Sequence, residues 1–194
     1  MALKERKYSV LVVSSGATFH AVLKSLLPPA AYAPVCSVSS VHEAKDTMKK
    51  QDFDFVIINT PLPDASGKGF AMDICGKKET VVLLFVKNEL YEEITEEVAA
   101  HGIFTLSKPT TKATISQALS WMVSTREHLR KFEKEAISME KKMEEIRIIN
   151  RAKWLLISEK NMDEPKAHRY IEKQAMDRCL SKREIAEEII RAYP

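Results

Sequence analysis

The sequence predicts an α/β domain built on a five-stranded parallel sheet, followed by a long coiled-coil helix and a small all-α unit of three helices. Three observations carry that reading. Short β-branched runs alternate with segments of helical period over the first 120 residues, the pattern of βαβ units. From residue 112 to Pro165 neither glycine nor proline interrupts the chain, so one helix can run through. Beyond it, helix-start residues recur at Asp163 and Ser181.

The elements follow in order. Residues 8–13 (YSVLVV) form a first buried strand. Phe19, Val22, Leu23, Leu26 and Leu27 share one face of a helix over 17–27, which Pro28 and Pro29 end. A strand near 34–38 leads to a helix over 40–50 with Val41, Ala44 and Met48 inward. Residues 54–58 (DFVII) form the third strand, and a loop with Pro61, Pro63, Gly67 and Gly69 enters a helix near 69–76. Residues 80–86 (TVVLLFV) supply the fourth strand, 89–101 a helix and 103–106 (IFTL) the fifth strand. Right-handed crossovers cover both faces of such a sheet. Ligand chemistry gathers at the carboxyl ends of its strands.

The 194 residues are 45% hydrophobic and 29% charged, enough for one medium domain and a small one. Cys36, Cys75 and Cys179 are odd in number and far apart, which supports neither a disulfide framework nor a zinc spacing. Buried free thiols in a reducing compartment are expected. No segment offers the roughly 20 consecutive apolar residues of a membrane span. The opening MALKERKYSV lacks the apolar core of a signal peptide, so a cytoplasmic location without membrane contact is expected. The net charge of +3 arises wholly beyond residue 119: residues 1–119 carry 13 Lys/Arg and 13 Asp/Glu, residues 120–194 carry 17 and 14. That excess hints at a polyanionic partner. There is no GxxxxGK loop, no GxSxG elbow and no His/Cys cluster, and the five histidines are dispersed. Neither enzyme activity nor a metal or cofactor is expected.

With the strands placed, the residues at their carboxyl ends can be named. Ser14 and Ser15 follow the first, Asn59 ends the third four residues before Pro63, Val86 ends the fourth, and Lys108-Pro109 follows the fifth. This layout resembles the response-regulator receiver domain, a flavodoxin-like fold. In that family an acidic pair after the first strand binds magnesium, and an aspartate ending the third accepts the phosphoryl group. A Thr or Ser ends the fourth, and a Lys-Pro follows the fifth. Lys108-Pro109 and the loop to Pro63 are kept; Ser14, Ser15, Asn59 and Val86 depart from the pattern. An aspartyl phosphate needs a carboxylate nucleophile and a magnesium site of hard oxygen ligands. An amide and two serines supply neither. The nearest carboxylates, Asp54 and Asp64, fall at the strand start and in the loop beyond it. A pseudo-receiver over 1–119 is therefore expected, with Lys108 hydrogen-bonded to Asn59 or nearby carbonyls. Its input would come from a regulatory protein or ligand.

The long helix carries a seam. Met122, Thr125, Leu129, Phe132, Ala136, Met139, Met143, Ile146 and Asn150 alternate at spacings of three and four, an a/d heptad row flanked by Arg, Lys and Glu. A coiled-coil linker over 120–150 is expected, favouring a parallel homodimer. Thr125 and Ala136 make the seam weak, so pairing is modest.

The last segment, 144–194, reads as the end of the long helix, a helix from Asp163 with Pro165 in its first turn, and a helix opened by a Ser181-x-x-Glu184 capping box. Ala152, Leu155, Leu156, Ala167, Tyr170, Ile171, Ala175, Met176, Ile185, Ala186 and Ile189 are its expected core. Arg151-Ala152-Lys153 before an apolar run, Ala167 with Tyr170, Ala175-Met176 and Ile185-Ala186 together resemble the ANTAR domain, the RNA-binding module of transcription antiterminators. Trp154 stands where that family commonly has a small residue. The resemblance implies binding to paired hairpins in a leader transcript, which keeps a terminator from forming. Two modules in a dimer would gain avidity on two hairpins. The candidate RNA-binding residues are Arg147, Arg151, Lys153, Arg169, Lys173, Arg178, Lys182 and Arg183, with His168 and Tyr170 as stackers, although Tyr170 suits the core better. The competing readings are a protein-interaction regulator and a DNA-binding response regulator. Against the second, no glycine turn joins the last two helices.

Overall fold

The computed structural model describes residues 6–75 and 80–193. The chain divides into two compact units, Met1–Arg130 and Lys131–Pro194. The first unit runs β1 (Tyr8–Val13), α1 (Ala17–Leu26), β2 (Tyr32–Val38), α2 (Val41–Lys50), β3 (Phe55–Asn59), α3 (Gly67–Cys75), β4 (Val81–Lys87), α4 (Tyr91–Ala99) and β5 (Phe104–Lys108), and then the opening turns of α5 (Lys112–Lys160). The second unit holds the rest of α5, α6 (Glu164–Asp177) and α7 (Lys182–Ala192).

All five strands are parallel, in the order β2-β1-β3-β4-β5. Strand alternation sorts the apolar side chains into two layers. Leu11, Val13, Val56, Ile58, Val82 and Leu84 pack on α2, α3 and α4. Val10, Val12, Phe55, Ile57, Leu83 and Phe85 pack on α1 and α5. Burial on both faces explains why β3 and β4 read as unbroken apolar runs. The edge strands β2 and β5 are half-exposed. Gly67 opens α3 where an added Cβ would meet Thr60 Cγ2 at 2.6 Å and Ile58 Cγ2 at 3.1 Å, so only glycine lets this helix start press on the end of β3. The helix expected over 89–101 is a short 3-10 turn, Asn88–Leu90, followed by α4. Residues 1–5, 76–79 and 194 lie outside the described residues; Gly76, the expected end of α3, and the first half of the opening MALKERKYSV fall there.

The first compact unit runs on to Arg130 because α5 serves its core well beyond its start. Ile115, Ala118, Leu119 and Met122 are buried in the layer with α1, and Leu129 packs on its edge.

In the second unit Ala152 and Leu156 of α5, Ala167, Ile171 and Ala175 of α6, and Ile185, Ala186 and Ile189 of α7 form the core. The expected caps are present. Asp163 accepts the Lys166 amide at 2.8 Å, and Ser181 and Glu184 complete a reciprocal capping box. Met176 departs from the expected core: it is 78% exposed. The inward face of α6 repeats at 167, 171 and 175, and the next residue lies about 100° further round the helix.

Candidate functional site

The carboxyl ends of β1, β3 and β5 converge on one polar chain. The side chain of Asn59, the last residue of β3, donates from Nδ2 to Ser14 Oγ at 2.9 Å and accepts on Oδ1 from Lys108 Nζ at 2.9 Å. Lys108 Nζ also donates to the Thr60 carbonyl. Ser14 Oγ accepts the Gly16 amide at 3.1 Å, and the Ser14 amide donates to Val38 O at 2.9 Å. His20 Nε2 lies 2.7 Å from the Ser14 carbonyl. A carbonyl only accepts, so this nitrogen carries the proton. The Lys108–Asn59 bond expected from the sequence is thus present. Burial, and secondarily the Lys87 charge, hold the Lys108 pKa below its ordinary value. Ser14 is buried and Ser15 is exposed. Val86 is fully buried in the layer with α2 to α4 and offers no hydroxyl. The two nearby carboxylates are committed elsewhere. Asp64 accepts the Val41 and His42 amides at 3.0 and 2.8 Å, capping α2, and these bonds lower its pKa.

At the opposite, amino ends of β1 and β3 lies a cluster that the sequence did not signal. Asp54 Oδ1 accepts from Arg126 Nε at 3.0 Å and from an Arg130 guanidinium nitrogen at 2.6 Å. Its Oδ2 accepts the Ser9 amide at 3.0 Å. Glu127 takes Arg130 at 2.7 Å, Arg6 at 2.9 Å and the Tyr8 hydroxyl at 3.0 Å. Partners more than 70 residues apart leave no local trace in a sequence.

In the second unit the eight candidate cations divide. Lys153 pairs with Glu164 at 2.7 Å, Arg178 with Glu188 at 2.5 Å, Lys182 with Glu172 at 2.5 Å and Arg183 with Glu187 at 2.8 Å. Among the described residues Arg147, Arg151, Arg169 and Lys173 form no ion pair and are exposed. They stand as i, i+4 pairs, one on α5 and one on α6. The two proposed stackers are engaged: His168 lies 3.3 Å from Glu172, and the half-buried Tyr170 ring packs on the core with the Lys160 ammonium 5.2 Å above it.

Two protein-family models match this chain. The response regulator receiver domain matches residues 10–120, more than half of the chain, and the ANTAR domain matches residues 138–190. The chain belongs to the response regulator receiver family. As a response regulator with an ANTAR domain, it is similar to the transcriptional regulatory protein PdtaR of Mycobacterium tuberculosis. The two are 25% identical over 184 residues, 93% of this chain and 88% of that one. Solved structures share the receiver fold. The signal receiver domain of an HD domain-containing protein from Pseudomonas fluorescens Pf-5 matches with TM-score 0.59 at 22% identity, covering 68% of this chain and 97% of that one. The chemotaxis response regulator CheY4 of Vibrio cholerae matches with TM-score 0.53 at 23% identity, covering 60% and 99%. Among the described residues no helix is long and apolar enough to cross a membrane.

The receiver corrects the seam. Met122 is buried in its core and so closed to a second chain, and the half-buried Leu129 packs on that core. A heptad row and the inward stripe of a helix lying on its own domain share nearly the same period, and over the first two repeats the domain takes the stripe. Phe132, Ala136, Met139, Met143 and Ile146 remain exposed. The free thiols are less buried than expected: Cys36 and Cys75 are half-buried, with burial pushing the Cys75 thiol up to about 11, and Cys179 is exposed.

Proposed function

We propose that this response regulator is an RNA-binding transcription antitermination regulator whose receiver is not switched by aspartyl phosphorylation. The observation that carries the output reading is the pair of unpartnered i, i+4 cation sets within the ANTAR match, where the other four candidate cations are each held by a carboxylate. Like charges at i, i+4 repel by a few tenths of a kcal/mol, and a phosphate backbone relieves that repulsion. ANTAR domains bind RNA, and the relative PdtaR is a transcriptional regulatory protein.

The input reading rests on Asn59. An amide cannot form an acyl phosphate. A receiver of this family would hold magnesium at this end of the sheet, and the residues present do not fit the ion. Two hydroxyls, an amide and an ammonium replace the carboxylates, and Asn59 is hydrogen-bonded to both Ser14 and Lys108. Regulation then falls to a partner protein or ligand at the pseudo-receiver. The exposed seam from Phe132 to Ile146 would pair two chains and present two ANTAR domains to paired leader hairpins.

A mobility-shift titration with a two-hairpin leader RNA and a duplex DNA of equal length, at two salt concentrations, tests the output. RNA-selective binding is expected, weakened about tenfold or more in Arg147→Ala/Arg151→Ala with a shallower salt dependence. Equal binding to both nucleic acids, erased by salt, would overturn it. For the input, incubation with a small acyl-phosphate donor is expected to leave the chain unlabelled; phosphate on the receiver would overturn that half.

A further inference from the structure

We propose that Trp154 stacks on an unpaired base of the bound RNA, beside phosphates held by Arg147 and Arg151; the proposal rests on the RNA reading above. Trp154 is 70% exposed on the outward side of α5, while Ala152 and Leu156 on the opposite side are fully buried. The ring therefore contributes little to the core of its own unit. Arg151 lies one turn before it and Arg147 two turns before it, and neither has a partner among the described residues. Asn150, exposed at i−4, adds an amide able to meet a base edge. Lys153, between Arg151 and Trp154 in sequence, is drawn to Glu164 and leaves this stripe.

The stripe thus combines two free guanidinium groups, an amide and an indole face within two helical turns. That is the chemistry of single-stranded nucleic-acid recognition, in which cations follow the backbone and an aromatic ring takes a base. A second chain, the other occupant an exposed ring on a helix invites, is disfavoured by Arg147 and Arg151: unpaired like charges beside the ring oppose a symmetric contact and suit a polyanion. Trp154 stands where the ANTAR pattern commonly has a small residue, so the contact would set this chain's RNA preference apart from its relatives.

The test uses the full chain carrying Trp121→Phe, which leaves Trp154 as the sole indole of the two tryptophans. The probe is a two-hairpin RNA and copies of it with an abasic site at each loop position in turn. RNA is expected to quench the indole emission. One abasic position is expected to weaken binding by about 5- to 150-fold, the span of one base–aromatic stack. Trp154→Ala should show the same loss and no further response to that abasic site, and Trp154→Phe should recover most of the affinity. RNA binding that is equal in Trp154→Ala and the parent, with unchanged abasic responses, overturns this proposal and leaves the RNA reading standing. A Trp154→Ala chain that falls to monomer in sedimentation while keeping the abasic response overturns it too, placing the ring in the dimer contact. A parent chain that binds no RNA overturns the RNA reading itself.

Discussion

Asn59 shows how one side chain can tie three strand ends together. An aspartate at this position could accept from Lys108 but could not donate to Ser14; the amide does both, at 2.9 Å each. Cys179 is a second case of residue-level control. It follows α6 with φ of 51°, the left-handed region that favours glycine. There it completes a Schellman motif, with the Leu180 amide on Ala175 O at 3.0 Å and the Cys179 amide on Met176 O at 3.3 Å. A side chain is strained in this conformation, so Cys179→Gly should raise stability by about 0.5–1 kcal/mol. Urea titration followed by circular dichroism would read the gain as a later midpoint.

Between elements, Asp54 is a tie of several bonds. It joins the amino ends of β1 and β3 to α5 through Ser9, Arg126 and Arg130, all largely shielded from solvent. Burial alone would raise the Asp54 pKa, but the Ser9 amide and the two guanidinium groups more than offset this and hold it below the usual carboxylate value. A depressed folded-state pKa means that the stabilisation is complete above the unfolded value, about 3.9, and is lost as pH falls through the folded one. Removing one partner of a buried pair costs about 3–5 kcal/mol. The partial solvent exposure of these side chains reduces the expected loss in Asp54→Asn to about 2–3 kcal/mol at neutral pH. Unfolding measured at pH 7 and again below pH 4 should show the gap between variant and parent closing on acidification. A gap independent of pH would mean that the carboxylate charge is not what ties α5 down.

Over the whole molecule, α5 changes role along its 49 residues. Up to Leu129 its apolar stripe belongs to the receiver; from Phe132 to Ile146 the same periodicity faces solvent. Substitutions separate the two roles. Met139 is 67% exposed, so Met139→Glu should leave the melting temperature nearly unchanged and weaken self-association about tenfold or more in sedimentation velocity. Met122→Glu puts a charge into a closed apolar layer and should instead destabilise the receiver by more than about 3 kcal/mol. Equal association of Met139→Glu and the parent would remove the case for the seam.

The sequence by itself determined the alternation of strands and helices, the parallel sheet, the last two helix starts and the absence of a carboxylate at Asn59. These depend on period-two and period-3.6 burial, on capping residues and on the identity of single positions, all of which are local. Tertiary structure alone decided which of several chemically equal groups are in use. Lys153 and Arg151 are near-neighbours of like charge, yet only the first meets a carboxylate, because α6 brings Glu164 to it. Met122 and Met143 occupy equivalent heptad positions, yet only the first is roofed by a sheet. Met176 adjoins Ala175 and still points away from the core. In each case the deciding contact comes from a separate element, and local sequence pattern does not encode which element will be there.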